Sequence, residues 1–300
     1  MKKMLHILFM TGFLFLHAKT ASPHFMNDTI NTERVRDLKA REYINDWSKE
    51  TFGLTPYQPN YVLPFGYTGS TYKTYTPNDG TYLNYEAELQ ISFKFALAKN
   101  LMGLGETYFA AYTQKAFWQI YKYSSPFRET NYSPELFMTI PLGEKHTFGP
   151  KILTLGYWHL SNGQGNIKKT VNASLYPELD NRSRNLNRLY AKLTFQHQSL
   201  VWDATLWYPF GNYADDNPDI MNYIGYGSLS AMYFYKKHLI SAKLWGNLIR
   251  KKGALELTYS YPGKVKGVYF FGKIFTGYAE SMIDYNRNIT KISVGVSFSR

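Results

Sequence analysis

His159 and Ser161 stand two residues apart in the run Gly156-Tyr157-Trp158-His159-Leu160-Ser161-Asn162-Gly163. On a β-strand that spacing places both side chains on one face. A serine hydroxyl is a poor nucleophile until a neighbouring base takes its proton. An imidazole, with an ordinary pKa of about 6.5, can be that base at neutral pH. The segment Asn185-Leu186-Asn187-Arg188-Leu189-Tyr190 offers Asn187 on a neighbouring strand. Its amide oxygen can accept a hydrogen bond and hold the ring in the required tautomer. It cannot balance an imidazolium charge as a carboxylate would, so the site calls for more electrostatic help, such as a cation near a developing oxyanion.

The elements that must position these residues read as strands. From Leu83 to Leu97 the odd positions are Leu, Tyr, Ala, Leu, Ile, Phe, Phe and Leu, while the even ones include Asn84, Glu86, Glu88, Gln90, Ser92 and Lys94. A strand that crosses a membrane at a tilt needs about 9–11 residues, which this run supplies. Similar alternation recurs at Leu189 to Phe195, Leu200 to Tyr208, Ile240 to Leu248, Leu255 to Tyr261 and Ile292 to Phe298. Eleven strands can be read from Thr81 onward, and Asn60 to Tyr67, with Pro64 near a strand edge, supplies an even twelfth. The expectation is an all-β fold, a twelve-stranded antiparallel transmembrane β-barrel over 60–300. On it, His159 and Ser161 share the parity of Leu153, Leu155 and Tyr157, and Asn187 that of Leu189, Ala191 and Leu193. All three polar groups therefore face lipid, where they are costly unless they satisfy one another.

Composition agrees with a barrel. The 300 residues include 27 Tyr and 20 Phe, and past the N-terminus no apolar run approaches the ~20 residues of a spanning helix. Lys2 and Lys3, the largely apolar Met4 to Leu16, and the small residues Ala18 to Ser22 predict a signal peptide over 1–20, its cleavage point between Ala18 and Ser22. Residues 21–59 read as a periplasmic or lumen-associated leader, with a charged helix within Glu33 to Lys49. There is no cysteine, which suits a barrel closed by hydrogen bonds in an oxidising compartment. The net charge of +12 is scattered rather than gathered in a stripe, so it fits anionic headgroups of outer-membrane lipid better than nucleic acid.

Connections differ in length. Lys99 to Gly103, Lys236-Lys237 and Arg250 to Gly253 are short turns, expected on the periplasmic side, whereas Asn162 to Arg184 and Gly211 to Asn222 are long and polar, expected outside. His159 and Ser161 end a strand that runs into the longest loop. They are expected near the outer rim.

Tyr-x-His-x-Ser-Asn-Gly and Asn187-Arg188-Leu189-Tyr190 resemble the nucleophile and asparagine segments of the outer membrane phospholipase A family. Further resemblances follow in the family's order: Tyr112-Thr113-Gln114-Lys115, Ser124 to Tyr132, Asp215-Asp216-Asn217-Pro218-Asp219, and Glu280 to Asn286. The resemblance implies a bacterial outer-membrane phospholipase A1/A2, a calcium-dependent homodimer that releases fatty acid from either acyl position of membrane phospholipids and lysophospholipids. It makes Ser161 the nucleophile, His159 the base and Asn187 its orienter, with the oxyanion met by the Gly163 amide and a calcium-bound water. It puts calcium on Ser124 of one subunit with Gln164 and Ser183 of the other, and a second calcium position on Asp216 with Asp180. Gln114 matches a glutamine that bonds across the family's dimer interface. Position 164 is Gln where the family usually has Arg, and 163–183 is longer than the family's loop. The rival reading is a barrel without catalysis, a narrow pore or an adhesin, in which His159 and Ser161 are rim residues.

Overall fold

The strand that alternates most regularly in the sequence, Tyr85–Lys99, shares the greatest length among the described strands with Phe127–Pro141. Even-numbered Glu86, Glu88, Ser92 and Lys94 are buried, while Ile91, Phe95 and Leu97 are exposed. The inside of this sheet is therefore polar and the outside apolar, the inverse of a soluble protein. The computed structural model describes residues 35–46, 53–70, 72, 81–143, 149–166 and 182–300. The predicted signal peptide and Asp180 lie outside the described residues.

The order is α1 (Val35–Asp46), β1 (Thr55–Pro56), β2 (Tyr61–Thr68), β3 (Tyr85–Lys99), β4 (Thr107–Trp118), β5 (Phe127–Pro141), β6 (Pro150–Ser161), β7 (Asn185–His197) and β8 (Leu200–Phe210). Then come α2 (Tyr213–Asp216), α3 (Met221–Ile224), β9 (Gly227–Tyr235), β10 (His238–Asn247), β11 (Lys252–Pro262), β12 (Tyr269–Gly277) and β13 (Ile289–Ser297). Each strand from β2 to β13 pairs antiparallel with its neighbour, and β13 closes on β2 with Lys291 opposite Thr68 and Ser297 opposite Tyr61. The two-residue β1 continues the edge of β2 along β3, so the closed wall has twelve spanning strands. The seam is fastened beyond the last ladder pair, where Phe298 N–H donates to the Asn60 carbonyl (2.7 Å) and Asn60 Nδ2 donates to Ser299 Oγ (2.8 Å).

Charges that point inward must be paired, because an isolated ion out of bulk water is costly. Arg128 donates from Nε and Nη2 to the two carboxylate oxygens of Glu86 (2.9 Å each) and from Nη1 to Asp284 (2.8 Å). Lys291 bridges Glu86 (3.1 Å) and Glu280 (2.7 Å), and Lys273 donates to Glu88. These pairs cross the lumen from β3 to β5, β12 and β13, and tie distant walls together.

Local structure packs against both ends of the barrel. At the end carrying α1, Lys39 Nζ donates to the Lys236 carbonyl and Tyr43 packs on Phe234. There the turn before β4 is fastened by Glu106, whose carboxylate accepts from the amides of Met102 (2.6 Å) and Leu104 (2.9 Å). The short Arg250–Gly253 turn is not periplasmic as expected. It joins β10 to β11 at the end of the long loops, where Asn247 Nδ2 donates to the Met221 carbonyl of α3 and Lys252 lies over Tyr223. Strand parity, not turn length, decides the side, and the neighbouring α3 lets this outer connection stay short.

Candidate active site

β6 and β7 pair with Trp158 opposite Arg188 and His159 opposite Asn187. Trp158 and Arg188 turn into the lumen and line its cavity. His159 and Asn187 consequently turn outward, as parity requires. His159 Nδ1 donates to Asn187 Oδ1 (2.8 Å), because the amide oxygen can only accept. With its proton on Nδ1, the ring presents the lone pair of Nε2 as a base. Tyr157, two residues before His159, donates its hydroxyl to the same Asn187 oxygen (2.7 Å). Two donors on one carbonyl fix which end of the amide faces the imidazole.

Ser161 closes the same face two residues on, opposite Tyr132 of β5 and Asn185 of β7. The structure joins His159 to Asn187 by a hydrogen bond and, among the described residues, does not so join Ser161 to His159. Catalytic hydrogen bonds commonly tighten only when substrate is bound.

The turn that follows Ser161 is built around a glycine. Gly163 has φ +64°, and a Cβ there would come within 2.8 Å of the Tyr132 ring. Left-handed backbone and close ring both require the residue without a side chain. Asn162 braces the two ends of the long loop, accepting from the Arg184 amide (3.0 Å) and donating to the Arg182 carbonyl (2.8 Å).

The sequence-suggested calcium residues fall into three groups. Ser183 Oγ donates to Asp216 Oδ2 (2.8 Å), which also accepts from Asn185 Nδ2. Gln164 Nε2 donates to Glu129 Oε2 (3.1 Å). Ser124, with φ +61°, sits exposed in the loop between β4 and β5 and makes no hydrogen bond to the other two groups. Among the described residues no group of three acidic or histidine side chains stands ready for a metal. The hydroxyl, carboxylate and main-chain oxygens around Ser183 and Asp216 are nonetheless the hard donors that calcium takes. Gln114 alternates with the buried Ala111 and Phe117 around it, and so lies on the outer wall, accepting from Tyr112 Oη (3.0 Å).

Sequence reasoning missed Tyr157 as a partner of Asn187, although its i−2 spacing from His159 places it on the catalytic face.

Residues 38–298 match the family described as Phospholipase A1. The chain belongs to that family. It is 35% identical over 254 residues to the phospholipase A1 of Salmonella typhimurium, covering 82% of this chain and 81% of that one. Over 257 residues it is 35% identical to the phospholipase A1 of Escherichia coli, again covering 82% and 81%. Outer membrane phospholipase A from Escherichia coli superposes with a TM-score of 0.71 at 33% identity, covering 85% of this chain and 96% of that one. A calcium-bound dimer of the outer membrane phospholipase of Salmonella typhi gives 0.74 at 34% identity with the same coverage. An Escherichia coli active-site mutant gives 0.72 at 32% identity, with 85% and 96% coverage; its asparagine is replaced by alanine. Family and fold together make this chain a bacterial outer-membrane β-barrel.

Proposed function

We propose that this chain is a calcium-dependent phospholipase that hydrolyses both the sn-1 and sn-2 acyl esters of phospholipids, and of lysophospholipids, in the outer membrane. The hydrogen bond from His159 to Asn187 carries the reading. It lies on the outward face of the wall, beside Ser161, where a lipid ester can reach it. A pore or adhesin has no use for a tautomer-fixed imidazole next to a serine on the lipid side, and ion pairs cross the lumen that a pore would need open.

Ser161 Oγ attacks the ester carbonyl carbon while its proton passes to His159 Nε2. The carbonyl electrons move onto oxygen, and the Gly163 amide faces that developing charge. When the tetrahedral centre collapses, the alkoxide of the lysophospholipid leaves with the proton from His159, and the acyl group stays on Ser161. Water then gives a proton to His159 and its oxygen to the acyl carbon; collapse breaks the bond to Ser161 Oγ, which takes the proton back from His159 Nε2, and the fatty acid leaves. Asn187 keeps Nδ1–H in place throughout, and Tyr157 keeps Asn187 in place. Calcium, held by Ser124 of one subunit with Gln164 and Ser183 of the other, would supply positive charge against the oxyanion. Asp216 beside Ser183 would hold a second ion, with Asp180 as its expected companion.

The test is fatty-acid release from phospholipid by purified protein in detergent, with calcium or with chelator. Activity with calcium is expected from wild type and not from Ser161→Ala, which should remain a folded barrel. A sulfonyl fluoride should label wild type at Ser161. An active alanine variant, or labelling at another serine, removes the catalytic assignment.

A further inference from the structure

Behind the His159–Asn187 pair, on the inner face of the same two strands, the lumen contains a cavity of about 360 Å³ walled by Trp158, Tyr190, Trp207 and Trp245. Arg188 lines it and is 3% exposed. Its guanidinium carbon lies 3.4 Å from the centroid of the Trp158 ring and 5.3 Å from that of Trp207. Stacking of this kind uses the face of the guanidinium and leaves its N–H edge free for bonds in the plane. Two buried nitrogens of that edge, Nε and Nη2, have no hydrogen-bond partner among the described residues.

These two N–H groups are parallel, and together they form a fork that matches two oxygens of one anion. Arg128 shows the same fork at work in this lumen, with Nε and Nη2 each 2.9 Å from an oxygen of Glu86. Among the described residues no carboxylate does this for Arg188, although four line the cavity. Glu135 accepts from the hydroxyls of Tyr57 (2.9 Å) and Tyr190 (3.3 Å). Asp203 accepts from Thr194 (2.6 Å) and Ser230 (3.3 Å). Glu256 faces Lys115 and Lys273, and Glu280 is paired with Lys291. Three further cations line the space, Lys115, Lys192 and Lys243, and Lys243 Nζ comes within 5.9 Å of the other participant in the stack, Trp158.

We propose that Arg188 and Lys243 form a luminal binding site for a small oxyanion, a phosphate or a carboxylate, held bidentately by Nε and Nη2 of Arg188. The site is separate from the outward-facing serine and does not rest on the catalytic reading. An anion there would secure the guanidinium that backs Asn187 across the wall.

The full chain in detergent, at constant ionic strength, is titrated with inorganic phosphate, with acetate and with chloride, while tryptophan fluorescence is followed. Trp158 and Trp207 flank Arg188, so occupancy should change the signal saturably with phosphate or acetate and not with chloride; the stronger of the two names the anion class. Arg188→Lys keeps the charge and loses the fork, and should raise the half-saturating concentration about tenfold or more. Lys243→Met leaves the Arg188 stack intact and should weaken binding less. A wild type with no saturable response means that water alone meets the fork, and overturns the site. So does a response that both variants retain unchanged. Should Arg188→Lys fail to fold, the wild-type titration and Lys243→Met decide the matter alone.

Discussion

The oxygen of Asn187 receives two hydrogen bonds, from His159 and from Tyr157, and this makes the three residues one unit. Removing His159 removes the base, a contribution of about 10²–10⁴-fold. His159→Ala should therefore be nearly inactive, while Asn187→Ala keeps the base and should lose less. Equal, complete loss in two folded variants would mean that Asn187 acts more directly than as an orienter. Tyr157→Phe removes one neutral hydrogen bond, worth about 1 kcal/mol, so kcat should fall about fivefold with KM unchanged. A double-mutant cycle identifies the route. If Tyr157 acts through Asn187, then Tyr157→Phe should change nothing further in the Asn187→Ala background, and independent, multiplying effects would place its role elsewhere.

At the scale of elements, the β6–β7 ladder sets His159 opposite Asn187, and the turn after Ser161 shapes the backbone that follows the nucleophile. Gly163→Ala brings a left-handed alanine, costing about 1–2 kcal/mol, against the Tyr132 ring. The barrel closes through its strand ladders, so this variant should fold, run as a compact species on unheated gels, and lose most esterase activity. Wild-type activity would show that the loop after Ser161 does not position the oxyanion. The turn before β4, at the end carrying α1, gives a pH test. Burial raises the Glu106 carboxyl, but amide donation from Met102 and Leu104, with the Tyr108 hydroxyl, outweighs it and holds the group below its ordinary value. A lowered folded pKa adds stability above the unfolded value of about 4.3, which is lost as pH falls through the folded value. Urea midpoints of wild type and Glu106→Gln should differ at pH 7 and converge toward pH 3; a constant gap would refute the linkage. Much of this level was legible in sequence. The alternation of Leu83 to Leu97 gave the faces of β3, and parity put His159 and Asn187 on the lipid side, because a period of two is a local property. Register and end-to-end contacts are not local. Nothing in the sequence alone set His159 opposite Asn187 rather than two residues away, brought Asn247 under α3, or left the Arg188 fork without a carboxylate.

On the whole molecule, the outer wall beside β4 to β7 carries Gln114, His159, Ser161 and Asn187 in a surface otherwise built of residues such as Leu136 and Leu189, both 54% exposed. Polar groups against hydrocarbon are unfavourable, and a second copy of the chain laid over this face would remove them from lipid. Gln114 uses its oxygen to accept from Tyr112, so its amide N–H groups would be available to such a partner. Within one chain Gln164 bonds Glu129, Ser183 bonds Asp216, and Ser124 bonds neither Gln164 nor Ser183, so the proposed calcium position shared among them would form when two subunits meet. Linkage then obliges calcium to favour the dimer by the same free energy that dimerisation adds to calcium affinity. Gating by association would let a lipase reside in a membrane without digesting it. Sedimentation in detergent should show dimer fraction and fatty-acid release rising together with calcium and falling together with chelator. Gln114→Ala should shift the association curve to higher protein concentration and leave the activity per dimer unchanged. Full activity in a calcium-free monomer would end the gating mechanism and leave the serine chemistry standing.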